Sequence, residues 1–230
     1  MKALVVKARL YWGYAVAAPG QSGARQALIA VPPSALVGAL AYPCAYGVEH
    51  GAVKKVSEEV EWAAMGILDI DSVDMLLRSV LPSVERLLNV PYMQRNNRKR
   101  RELWFSVHPV GKVYLPSASV IVAYFGEGVE RFEKCAWGIT RIGSKESLVA
   151  VEDVAVYDVE QVGYAEFTTP LYVRRDVAKC PPDALEVRLP LYGWEPRYSG
   201  PPSSHVDVCI SYNAYESDRA VKFGEWYYAL

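Results

Sequence analysis

The 230-residue chain carries 25 Lys and Arg against 26 Asp and Glu, and is 51% hydrophobic and 22% charged. This composition excludes a disordered chain, and the length suits one large domain or two small ones. The net charge of -1 excludes an indiscriminate polycation, but it is unevenly spread: +4 over residues 1–48, -4 over 49–94, +6 over 95–145 and -7 over 146–230. Segment asymmetry of this kind says more about partners than the total does.

In chain order, Met1–Tyr11 alternates with a period of two and predicts a strand. Leu4, Val6, Ala8 and Leu10 would face a core, leaving Lys7, Arg9 and Tyr11 on an open face. A glycine-bearing loop, Pro19–Arg25, follows. Pro32-Pro33-Ser34 then opens an apolar helix with Ser34 as N-cap and Pro43 near its end. Residues 26–48 carry no charge, but the three prolines there argue against a membrane-spanning helix. Lys7 and Arg9 stand where a signal peptide would need an apolar run, so no secretion signal is expected.

Residues 57–88 read as helical, with Ser57-Glu58-Glu59 as an acidic first turn. A second helix would begin near Asp71 or Ser72 and kink at Pro82. Tyr92–Leu115 reads as a strand, a basic turn and a returning strand. Ser119–Phe125 predicts a strand, Val129–Trp137 a helix, and Leu148–Val156 another strand. The tail, 158–230, is rich in Tyr, Pro and short β-like runs such as Ala184–Tyr192 and Val206–Tyr212.

This order fits an α+β, ferredoxin-like (RRM-like) βαββαβ domain over residues 1–157, with a helical and basic-hairpin insertion at 50–118. A β-rich C-terminal extension, 158–230, would pack on it. The sheet face opposite the helices is the usual RNA platform in such domains.

The chain shows no GxSxG, HExxH or phosphate-loop signature. His50, His108 and His205 stand apart, so neither a metal site nor a cofactor is expected. Cys44, Cys135, Cys180 and Cys209 form no CxxC pair. They read as buried thiols, with disulfides open for a hyperthermophile's chain.

Arg95, Arg98, Lys99, Arg100 and Arg101 place five cations in seven residues, followed by Trp104 and Phe105. Cations neutralise phosphates and aromatic faces stack bases, so this run is a nucleic-acid candidate. A solvated surface loop is the plainer alternative. The segment Gly138–Ser147 carries Arg141, Gly143, Ser144 and Lys145. It reads either as a small anion nest or as an ordinary helix-to-strand connection. His108, Lys112 and Tyr114 could supply a metal-independent ribonuclease with base, cation and acid. The plainer alternative is a strand-edge histidine before Pro109.

Pro32-Pro33-Ser34-Ala35-Leu36-Val37-Gly38-Ala39-Leu40 and, about a hundred residues on, Arg141-Ile142-Gly143-Ser144-Lys145-Glu146-Ser147-Leu148 resemble motifs of the CRISPR-associated (Cas) family five. These are RAMP-type subunits of the Cascade surveillance complex. The chain length and the basic insertion are similar to the archaeal type I-A branch, and the resemblance covers about the first 155 residues. It implies a non-catalytic cytoplasmic subunit of a hetero-oligomeric complex in antiviral defence. Such a subunit holds the 5′ handle of the crRNA, caps the Cas-family-seven backbone and contacts the large subunit, with no membrane association. The implied handle contacts are the loop with Gln21, Ser22 and Arg25, the basic hairpin and the turn at Arg141–Lys145. Lys7 and Arg9 on the opening strand join them as RNA-binding candidates. The second reading is a metal-independent endoribonuclease that processes CRISPR repeat RNA.

Overall fold

The structure, a computed structural model, describes residues 1–18, 26–44, 51–88, 95–191 and 202–230. The elements in chain order are β1 (Lys2–Leu10), β2 (Gly13–Tyr14), α1 (Pro33–Cys44), α2 (Gly51–Glu59), β3 (Trp62–Ile67), α3 (Val73–Arg78), β4 (Val80–Leu88), β5 (Phe105–Tyr114) and β6 (Ser119–Gly126). They continue with α4 (Glu133–Ala136), β7 (Val149–Asp158), β8 (Glu160–Phe167), β9 (Val173–Arg174), β10 (Leu185–Leu191), β11 (Ser204–Ile210), β12 (Tyr215–Phe223) and β13 (Trp226–Ala229). The molecule is a mixed α/β protein built mostly of sheets.

The central sheet has the order β3-β6-β1-β7, and every pair in it is antiparallel. β1 lies between β6 and β7, so both its edges are paired. In the register Leu4 lies opposite Tyr124 and Val6 opposite Val122. These side chains share the helix-covered face, where the Tyr124 hydroxyl donates to Leu36 O in α1 at 3.0 Å. Pro33 fits the first helical position because its missing N–H has no partner to lose there. Ser34 therefore lies inside α1 rather than capping it, and Pro32 O accepts the amides of Ala35 and Leu36.

The second face of the sheet differs from the expected open platform. Ala3, Val5, Ile121, Ala123 and Phe125 on it are all buried. Phe125 stacks on Tyr228 at 5.0 Å and meets Phe223 edge-on at 5.2 Å. The C-terminal sheet β13-β12-β8 covers this face. Trp62 Nε1 donates to the Tyr228 hydroxyl at 2.8 Å, and Tyr228 donates to Tyr172 O at 2.9 Å. Two sheet faces meeting over aromatic residues exclude solvent, and no room remains there for stacked bases.

The helical reading of 57–88 is corrected in two places. Trp62–Ile67 is a strand with all six residues buried, so no alternation marked it in the sequence. It pairs with β6 in the central sheet, although it falls inside the segment 50–118 expected as an insertion. Val80–Leu88 is also a strand, β4, at the edge of the sheet β2-β5-β4. Pro82 is tolerated on such an edge, where one row of backbone groups needs no partner. Of the expected long second helix only α3 forms, capped by Ser72, whose hydroxyl accepts the Met75 amide. Glu58 and Glu59 end α2 rather than open it.

The expectation of free thiols is also corrected: Cys44 is bonded to Cys135 and Cys180 to Cys209. Sequence distance hid both pairs, since their partners meet only through the tertiary fold. Among the described residues, no helix is long and apolar enough to cross a membrane.

Candidate nucleic-acid interface

The basic run Arg95–Arg101 caps the β4–β5 hairpin, whose ladder runs from Val80 opposite Val113 to Leu88 opposite Phe105. Eight residue steps at about 3.3 Å carry the tip roughly 26 Å from its base. Two 3-10 turns, Asn97–Lys99 and Arg101–Leu103, close the end. Arg95, Lys99, Arg100 and Arg101 are exposed there, with Arg98 inside the first turn. Arg100 pairs with Glu102 at 3.5 Å, and the Arg101 guanidinium lies 5.8 Å from the Trp104 ring centre.

The turn Gly138–Ser147 is a clasp. Ser147 is fully buried, and its hydroxyl accepts the Ala15 amide at 3.0 Å while bonding Ser144 Oγ at 2.9 Å. The Ser144 amide donates to Ala15 O at 3.0 Å, and Trp12 Nε1 donates to Glu146 O at 2.7 Å. Gly143 has φ +90°, and a Cβ there would stand 2.8 Å from Val16 Cγ2. The anion-nest alternative is therefore weakened. The amides of Ile142, Ser144, Ser147 and Leu148 donate to carbonyls within the protein, so they are not collected for an anion. What the clasp presents is side chains: Lys145 is exposed, and Arg141 lies 4.5 Å over the Tyr42 ring.

Gln21, Ser22 and Arg25 lie outside the described residues. The base of their loop is described: Leu28 donates to Val16 O at 2.8 Å and Ala18 to Gln26 O at 2.9 Å. Gly143 abuts one strand of this base. On the other, a Cβ on Gly111 of β5 would stand 2.5 Å from the Ala27 nitrogen. The clasp, the loop base and the hairpin base therefore meet, and two residues without a Cβ permit the contact. Lys112 joins them, 5.4 Å over the Trp12 ring and 3.8 Å from Glu146.

Lys7 and Arg9 are engaged elsewhere. Lys7 pairs with Glu225 at 3.5 Å and lies 5.8 Å over Trp226. Arg9 pairs with Glu152 at 2.6 Å and donates to Ser117 O at 3.1 Å. Tyr42 was missed in the sequence, because an aromatic residue in a charge-free helix reads as core.

Burial pushes the phenols of Tyr14, Tyr124, Tyr172, Tyr215 and Tyr228 above the ordinary range, and that of Tyr212 up to about 12. The first five stay protonated and serve as donors, as Tyr172 does to Val31 O at 2.9 Å. Among the described residues, no group of three or more His, Cys, Asp or Glu is placed to hold a metal ion.

No family model matches the chain. It is 30% identical over 175 residues to CRISPR-associated protein Cas5 3 of Saccharolobus solfataricus, covering 74% of this chain and 70% of that one. It is 30% identical over 177 residues to CRISPR system aCascade subunit Cas5 1 of the same organism, covering 74% and 71%. Its fold superposes on a CRISPR protein from Archaeoglobus fulgidus with a TM-score of 0.60 at 18% identity, covering 99% and 98%. A chain of a CRISPR RNA-guided surveillance complex superposes with a TM-score of 0.50 at 14% identity, covering 94% and 90%.

Proposed function

The chain belongs to the Cas5 family of CRISPR-associated proteins; from that premise we propose that it is a non-catalytic RNA-binding subunit of a type I Cascade complex, similar to the I-A branch. In this reading it is a cytoplasmic component of antiviral defence. It holds the 5′ handle of the crRNA, caps the Cas-family-seven backbone and contacts the large subunit.

The observation that carries the reading is the meeting of the clasp, the base of the 19–25 segment and the foot of the basic hairpin at one place. The residues that bracket Gln21, Ser22 and Arg25 in the chain, Val16–Ala18 and Gln26–Leu28, are held between the clasp of Arg141, Gly143, Ser144 and Lys145 and the foot of the basic hairpin. The hairpin then carries Arg95, Arg98, Lys99, Arg100, Arg101 and Trp104 outward. Cations spread over such a length suit an extended single strand, whose phosphates they neutralise and whose bases stay open for stacking. Lys7 and Arg9, already paired with acids, are the weakest members of the set.

The sheet order β3-β6-β1-β7, with α1 and α4 in the two connections, supports a ferredoxin-like reading of residues 1–157. Residues 158–230 form the extension on its second face. The Cas5 name and the aCascade relative favour an assembly subunit over a free enzyme. Lys112, the cation of the ribonuclease alternative, is turned to the Trp12 ring and to Glu146.

If about four phosphates are contacted, log K should fall with log salt at a slope of roughly -3. Replacing Arg98, Arg100 and Arg101 together with Ala should flatten that slope in fluorescence titrations with repeat RNA. An unchanged slope would remove the hairpin from the interface. Incubation with repeat RNA in EDTA should leave it intact; site-specific cleavage lost in His108→Ala would establish the ribonuclease instead.

A further inference from the structure

Two aromatic rings remain in solvent beside the clasp: Tyr42 is 51% exposed and Trp137 is 53% exposed. They stand near the C-terminal ends of α1 and α4, which are fastened together. Cys44 and Cys135 are disulfide-bonded with their α-carbons 5.1 Å apart. Next to Trp137, a Cβ on Gly138 would lie 2.7 Å from Pro43 Cβ. The Arg141 guanidinium caps the Tyr42 ring at 4.5 Å.

Rings left in water add little to folding, since only buried apolar area contributes. Their exposed faces are therefore open to a ligand. A planar guanidinium over a ring starts a stack that another flat π-system can extend. Residues 131–145 carry four bases and one acid; with Arg131 turned to Glu59, Lys134, Arg141 and Lys145 still outnumber Glu133, which favours a polyanion over an acidic protein surface. Glu146, the next acid, is turned to Lys112. Arg141 is also two residues from Gly143, which packs on the loop base at Val16.

We infer that Tyr42 and Trp137, with Arg141 over Tyr42, form a stacking platform for unpaired RNA bases, distinct from the cationic hairpin tip. The inference rests on the reading that the chain binds single-stranded RNA. It adds a base-contacting part to a surface otherwise described by its charges. The disulfide joins the two helix ends that carry the rings before RNA arrives, so binding need not order those ends relative to each other.

The test is fluorescence anisotropy of the full chain with labelled RNA transcribed from the cognate CRISPR repeat. Tyr42→Ala should weaken binding by about 5- to 160-fold, the usual range for one lost base stack. The salt slope should stay unchanged, because no charge is removed. Tyr42→Phe should keep wild-type affinity, since the ring rather than the hydroxyl stacks. Trp137→Ala is the second variant, and circular dichroism checks that each is folded. The platform is overturned if Tyr42→Ala and Trp137→Ala both bind within twofold of wild type while the Arg98/Arg100/Arg101 variant still alters the slope. It is also overturned if Tyr42→Phe loses as much as Tyr42→Ala, or if the alanine variants keep RNA but lose capture of partner subunits. A wild-type chain that binds no RNA would defeat the RNA reading itself, and the platform with it.

Discussion

Ser147 shows how much a single hydroxyl can hold. It is fully buried, accepts the Ala15 amide and bonds Ser144, so Ser147→Ala leaves a buried donor without its partner. The expected loss is about 1–3 kcal/mol, read as a lower denaturation midpoint. The serines and glycine of this motif were legible in the sequence as small polar residues, but their role was not. The same residue types serve anion nests and backbone clasps, and only the position of Ala15 and Val16 separates the two. The buried tyrosines give a second residue-scale expectation. Their folded pKa values are raised, so the folded state keeps protons that the unfolded chain loses above about pH 10. Stability should therefore be independent of these groups below pH 9 and fall as pH rises past 10. Thermal melts across that range, with absorbance at the tyrosinate band, measure it.

At the scale of elements, the strands that alternate or carry dense β-branched runs were readable: β1, β6 and β7 stand within a few residues of their expected places. The misreadings share a physical cause. β3 is buried on both faces and so has no period. β4 has apolar residues at 80, 84, 87 and 88, a helical spacing, yet it is fixed as a strand by its ladder with β5. Tertiary pairing overrides local pattern there. The disulfides tie elements that are 91 and 29 residues apart in sequence. In the chain-entropy model, loops of these sizes give about 3.5–4.5 kcal/mol each. Reduction should therefore lower the thermal midpoint, measured with and without a thiol reductant. Equal midpoints would mean that the staples contribute nothing.

Across the whole molecule, the expected open sheet is covered, and the charge partition is what marks the candidate segments. The face read as an RNA platform is filled by Phe125, Phe223 and Tyr228. The acidic segment 146–230 supplies Glu152 and Glu225, which pair with Arg9 and Lys7. Net positive charge is concentrated in residues 95–145, which include the hairpin tip and the clasp. On the proposed reading, that concentration lets a chain with a net charge of -1 grip RNA locally. It also explains why the sequence could nominate the basic segments without showing that their bases meet. The contact depends on Gly111 and Gly143, whose lack of a side chain carries no chemical signal of its own. The most direct test of this account is ultraviolet crosslinking of the full chain to repeat RNA, with adducts mapped by mass spectrometry. Adducts should fall on the loop with Gln21–Arg25, the hairpin tip around Trp104, and the clasp with Tyr42 and Arg141. Adducts confined to the acidic C-terminal strands, or none at all, would contradict it.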